Sequence, residues 1–110
     1  DALTLYEKGS WNSCLNRLYY AAFYAAISVM LERQIRIKSH NGVKQKLGEI
    51  YLQGEIDKKL VKTFNLLADF RHKGDYDDLF DFNEELVKPL IEPVKEFIDK
   101  MEALVKIDNL

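Results

Sequence analysis

Residues 10–33 read SWNSCLNRLYYAAFYAAISVMLER, and the spacing of apolar residues in this stretch decides the fold class. Leu15, Leu18, Ala22, Ala25 and Val29 recur at three- and four-residue intervals, which is one stripe of a helix. Trp11, Tyr20, Phe23, Tyr24, Ile27 and Leu31 widen that stripe most of the way round. A helix apolar on so many sides is either central to a bundle or keeps one face for the core and another for a partner chain. Ala21, Ala22, Ala25, Ala26 and Ser28 permit close approach of a neighbouring helix. Asn16 and Arg17 are the polar exceptions. A charge amid this much apolar surface needs an acid or a ligand, so Arg17 is expected in a partly buried cluster with Tyr20 and Tyr76, paired with Asp75.

Working outward, the punctuation is sparse and the pattern between marks is helical. Gly9 predicts a C-terminal stop for a short first segment, Asp1–Lys8, and Ser10 an N-cap for the long helix that follows. That first segment is short for a helix and reads as the end of a longer one whose start is absent. Ser39 can cap a helix from Asn41 to about Gln53, with Val43, Leu47 and Ile50 on one face and Gly54 as its stop. A further helix starts near Glu55 and runs into Arg71. The last spans Asn83 to about Lys106, with Pro89 and Pro93 forcing a late start or a kink. No segment alternates as a half-buried strand does. The expectation is an all-α, antiparallel up-and-down bundle of four to five helices, with residues 1–110 forming a single domain.

Composition narrows the function classes. One cysteine, Cys14, among 110 residues excludes a disulfide scaffold and argues against structural zinc. Arg17 and Glu32 bracket the longest apolar run, which falls short of the ~20 residues that cross a bilayer. No membrane partner is expected, and the localisation expected is cytoplasmic. The net charge of −2 is unevenly spread. Residues 33–74 carry ten basic and four acidic groups, while residues 75–110 carry four basic and eleven acidic ones. The basic run Arg33, Arg36, Lys38, Lys44 and Lys46 could attract phosphate, or it could be a solvated face of mixed charge.

The chain has no phosphate-cradling Gly-rich loop, no His-Glu-x-x-His and no Gly-x-Ser-x-Gly. Neither histidine has a glutamate three residues before it, so no metal and no cofactor is expected. The chemistry gathers in residues 68–78, ADFRHKGDYDD. There Arg71 and Asp75 share one helix face, and His72 and Tyr76 the next. An arginine held by a carboxylate beside a phenol can grip a phosphate; the same spacing also suits an ion pair that tidies a helix end.

Three short motifs occur in order along the chain: Arg-x-Tyr-Tyr-Ala at residues 17–21, Ser-His-x-Gly-Val at residues 39–43, and Arg71 followed by Asp75-Tyr76. In this order they resemble the HEPN family, and more narrowly its small stand-alone bacterial and archaeal branch. The resemblance implies a four-helix core with an extra short helix, usually dimeric. It also implies frequent pairing with a minimal nucleotidyltransferase in toxin–antitoxin-like systems. Many members are metal-independent ribonucleases that use an arginine followed, after four to six residues, by a histidine. Here the positions counted from Arg71 hold Tyr76, Asp77 and Asp78. His72 projects about 100° away from Arg71 on a helix. Arg33 and His40 match the spacing only across a loop.

The reading that follows is a binding module, homodimeric, that takes a nucleotide, RNA or a nucleotidyltransferase partner through Arg71, Asp75, Tyr76, Arg17, Tyr20 and His40, without strong catalysis. The alternative is a metal-independent ribonuclease using Arg71 with His72 or His40. A second alternative is a purely structural oligomerisation bundle.

Overall fold

The computed structural model describes residues 2–37, 39–76 and 82–109, with the backbone alone for 2–9 and 73–76. Its elements are α1 (Ala2–Glu32), α2 (His40–Leu52), α3 (Lys58–Tyr76), the single turn α4 (Glu84–Val87), a 3-10 turn (Lys88–Leu90) and α5 (Ile91–Asp108). Among the described residues there is no strand, and the helices pack as an all-α bundle measuring 54 × 24 × 20 Å.

α1 is one unbroken helix of 31 residues, about 46 Å long at the ordinary rise. The sequence expectation of a stop at Gly9 and a new start at Ser10 is therefore corrected. Glycine inside a helix costs about 1 kcal/mol relative to alanine, less than breaking the hydrogen-bond ladder and capping two new ends. The true stop comes at Gln34, whose φ is 62°. There Ile35 N–H donates to the Met30 carbonyl at 2.8 Å and Gln34 N–H to that of Leu31 at 3.0 Å, a Schellman end. α2 ends in the same way, with Gly54 at φ 82° in the left-handed position and Glu55 N–H donating to the Ile50 carbonyl at 3.2 Å.

The core face of α1 is Leu15, Tyr19, Ala22, Ala26, Val29 and Met30. It lies slightly round from the stripe read in sequence, so Leu18 and Ala25 are half-buried. Val43, Leu47 and Ile50 of α2, Leu60, Phe64 and Leu67 of α3, and Val94, Phe97, Met101 and Leu104 of α5 complete the core. Phe64 and Phe97 stack across α3 and α5 with centroids 5.7 Å apart. By length and mean hydropathy the Ser10–Glu32 part of α1 would also suit a membrane span. In this bundle its buried residues pack against the other helices.

Side chains fix the helix starts and ends. Ser39 Oγ accepts from Gly42 N–H at 3.0 Å and caps α2. Asn83 Oδ1 accepts from Leu86 N–H at 3.0 Å and caps α4. Pro89 lies in the 3-10 turn and Pro93 in the first turn of α5, where a missing N–H costs least. The two prolines thus give the late start expected of the last helix. Arg33 then ties three ends together: it forks onto Glu55 at 2.9 and 2.7 Å and reaches Asp108 Oδ2 at 2.9 Å.

Candidate functional site

The bundle brings the middle of α1, the start of α2 and the second half of α3 around one open cleft of about 470 Å³. Tyr19, Ser39, His40, Asn41, Lys44, Ala68, Asp69, Arg71 and His72 line it. The Ser39 cap makes His40 the first residue of α2, so the cap that starts the helix also places the imidazole at the cleft. Gly42 is needed for that cap. A Cβ there would lie 2.4 Å from Ile37 Cγ2 and 3.0 Å from Ser39 Oγ.

Arg71 is held from the α1 side. Its Nη2 donates to the Tyr20 hydroxyl at 2.6 Å, and its guanidinium carbon lies 4.9 Å from the Tyr20 ring centroid and 5.3 Å from that of Tyr19. Aromatic faces suit a guanidinium because their quadrupole is negative above the ring. The buried Tyr19 hydroxyl hydrogen-bonds His40 Nδ1, and the imidazole packs 5.2 Å from the Tyr19 ring and 5.0 Å from that of Phe23. At the rim, Lys44 Nζ meets Asp69 Oδ1 at 3.4 Å. The first turn of α2 carries no acid; its outward N–H groups and positive dipole end add to the positive character of the cleft.

The structure therefore gathers Tyr20 of α1, His40 of α2 and the adjacent Arg71 and His72 of α3, three stretches far apart in sequence. Arg17 is exposed, which corrects the expectation that it is partly buried. The polar face of α1 that carries it turns to solvent, where a guanidinium keeps its hydration. The side chains of Asp75 and Tyr76, and residues 77 and 78 altogether, lie outside the described residues, and with them the expected contacts of Arg17 and Arg71 with Asp75 and Tyr76. The Arg33–His40 spacing has no counterpart in space: Arg33 is committed to Glu55 and Asp108, while His40 turns to Tyr19. In the basic run, Arg33, Lys44 and Lys46 each meet an acid, Lys46 at 2.9 Å from Glu49. These three members of the run are engaged by acids, and only the Lys46 pair is local in sequence.

Tyr19 is the residue that sequence reasoning misses. Its signal is the i, i+4 spacing Leu15–Tyr19–Phe23, which puts a phenol among core positions and so requires a polar partner for its hydroxyl. Among the described residues, no group of three or more His, Cys, Asp or Glu is disposed to hold a metal ion.

An all-α bundle with an arginine, two histidines and two tyrosines at the junction of three helices is a small helical module built around one polar cleft. The family model for the HEPN domain matches residues 1–104, and the chain belongs to that family. It is 33% identical over 107 residues to a Thermotoga maritima protein named "UPF0332 protein", covering 96% of this chain and 81% of that one. Two Methanocaldococcus jannaschii proteins, each named "Putative toxin", are 24% and 27% identical. Each match covers 96% of this chain, and 73% and 78% of the relatives respectively. No solved structure matches.

Proposed function

We propose that the chain is a HEPN-type binding module whose cleft takes the phosphate of a nucleotide or RNA strand, without strong catalysis of its own. The observation that carries this reading is Arg71, braced by the Tyr20 hydroxyl and two aromatic faces at a cleft that His40, His72 and the start of α2 also line. A braced guanidinium binds phosphate well because little side-chain freedom is lost on binding. The module acts as a homodimer in a toxin–antitoxin-like system in the cytoplasm, with a minimal nucleotidyltransferase as its partner. The toxin names of two relatives support that setting. The dimer reading draws on the exposed Tyr24 and Leu31 of α1 and on an apolar groove between α1 and α5 lined by Ala25, Ile98, Met101 and Val105.

Calorimetric titration with a nucleoside monophosphate and with a short single-stranded oligoribonucleotide tests the reading. Binding should weaken with salt and be lost in Arg71→Ala. Salt-independent binding, or binding untouched by Arg71→Ala, would contradict it.

A second reading is favoured by His40 and His72 sharing the cleft of Arg71. It is a metal-independent ribonuclease in which one histidine moves the 2′-hydroxyl proton and Arg71 steadies the phosphate. It ranks second because a base needs an unprotonated ring nitrogen turned to the cleft, and Tyr19 occupies one of the two nitrogens of His40.

A further inference from the structure

We propose that a second groove, between the first half of α3 and the prolines that introduce α5, docks an acidic segment of a partner protein through one large apolar anchor side chain. The proposal stands apart from the phosphate reading of the cleft. The groove holds about 500 Å³. Lys58, Lys59 and Lys62 stand along it, Leu66, Pro89 and Pro93 give it apolar walls, and no acid lines it among the described residues. Lys62 precedes Arg71 by nine residues of α3, which places the two half a turn out of phase and about 13 Å apart along the axis. Groove and cleft therefore face different ways.

Helix stability does not account for these charges. Lys58 and Lys59 open α3, whose first turn holds no acid, although the positive end of a helix dipole favours acids and repels cations. Lys58 and Lys62 meet no acid among the described residues, and Lys59 meets Glu96 at 3.3 Å with both side chains more than half exposed. Asp57, just ahead, is exposed and does not line the groove. The groove thus attracts an anion, and its walls select which kind. Leu66 is 42% exposed, and no aromatic ring lines the groove for a nucleic-acid base to stack on. A bilayer takes a protruding apolar face, not a concave one. A leucine- or phenylalanine-sized side chain flanked by carboxylates suits both parts: the anchor seats between Leu66 and the prolines while the carboxylates meet the ammonium groups. The proline rings hold their wall stiff, so little freedom is lost on docking.

The test is selection from a phage-displayed library of random dodecapeptides on the full chain, followed by fluorescence anisotropy of the selected peptides. These should carry Asp or Glu around one Leu, Phe or Trp and bind less tightly as salt rises. The double variant Lys58→Glu/Lys62→Glu should weaken them at least about tenfold, as should Leu66→Ser, while Arg71→Ala leaves them unchanged. Glutamates suit the start of a helix, so the double variant should melt no lower than wild type and its loss of binding is not unfolding. A selection that yields no acidic family with an apolar anchor would overturn the proposal. So would selected peptides whose affinity ignores the double variant, or whose anchor can be replaced by alanine without loss, since bare ion pairing needs no groove. Oligoribonucleotide or phosphatidylglycerol-vesicle binding that is lost in the double variant, with no peptide family selected, would overturn it in favour of those anions.

Discussion

Arg71 Nη2 and the Tyr20 hydroxyl, from α3 and α1, are joined at 2.6 Å, with the guanidinium carbon 4.9 Å from the same tyrosine ring. One side chain thus restrains the arginine by both its polar tip and its π face. Tyr20→Phe removes the acceptor and keeps the face. It should lower phosphate affinity by roughly threefold to tenfold, the usual worth of one hydrogen bond. Arg71→Lys should cost more, because an ammonium cannot reproduce the planar fork. Titration calorimetry measures both, and thermal unfolding should show little change for either.

Arg33 predicts a stability effect remote from the cleft. It bridges the end of α1 to Glu55, before α3, and to Asp108 at the end of α5. Its side chain is 21% exposed, so its ion pairs are partly shielded. Arg33→Met should destabilise the fold by about 1–2 kcal/mol in urea unfolding, the value lying above an ordinary surface pair because two carboxylates lose a forked partner. The difference between wild type and variant should shrink at high salt. Equal stabilities at low salt would show that the three ends are held by packing alone.

Two backbone positions give opposite expectations. Gly42→Ala drives a methyl into Ile37 beside the Ser39 cap and should cost about 1–3 kcal/mol, the range for overpacking. Gln34, at φ 62°, occupies a position that glycine fills without strain; Gln34→Gly should stabilise by about 0.5–1 kcal/mol. Denaturant midpoints of the two variants against wild type check both signs. Gly42→Ala should also weaken phosphate binding, because the cap it disturbs carries His40.

The helical class, the Ser39 cap and the Gly54 stop were legible because each depends on residues close together in the chain. Periodicity and caps are local signals. The continuity of α1 through Gly9 was not legible, since a single glycine marks either a stop or a tolerated cost. Tyr19 was hidden by its ring: a stripe search for aliphatic residues settles on Leu18 and Ala25, one position round the helix from Tyr19 and Ala26. Nor does spacing foretell that His40 meets the cleft of Arg71. That meeting is made by α2 packing on α3 and by a phenol from α1. Arg17 was misjudged for the converse reason, because an apolar helix still has one face in water.

Self-association is expected through α1 and α5. Tyr24 and Leu31 of α1 are 62% and 63% exposed, and Tyr24 lines an apolar groove of about 440 Å³ between α1 and α5, a face that a second copy of the chain could cover. Light scattering across a dilution series should report a dimer that Leu31→Glu weakens. A monomer persisting at high micromolar concentration would contradict the dimer.

The most direct test of binding without turnover is incubation of the purified chain with labelled single-stranded RNA in excess chelator. The residues that follow Arg71 at the ribonuclease spacing are a tyrosine and two aspartates, whose ordinary pKa values near ~10 and ~3.9 leave neither poised for proton transfer at neutrality. Tyr19 holds one nitrogen of His40. The account predicts RNA that is retarded by the protein, released by Arg71→Ala and recovered intact. Cleavage in the chelator that is abolished by Arg71→Ala and by His40→Ala or His72→Ala would contradict it and establish the ribonuclease reading instead.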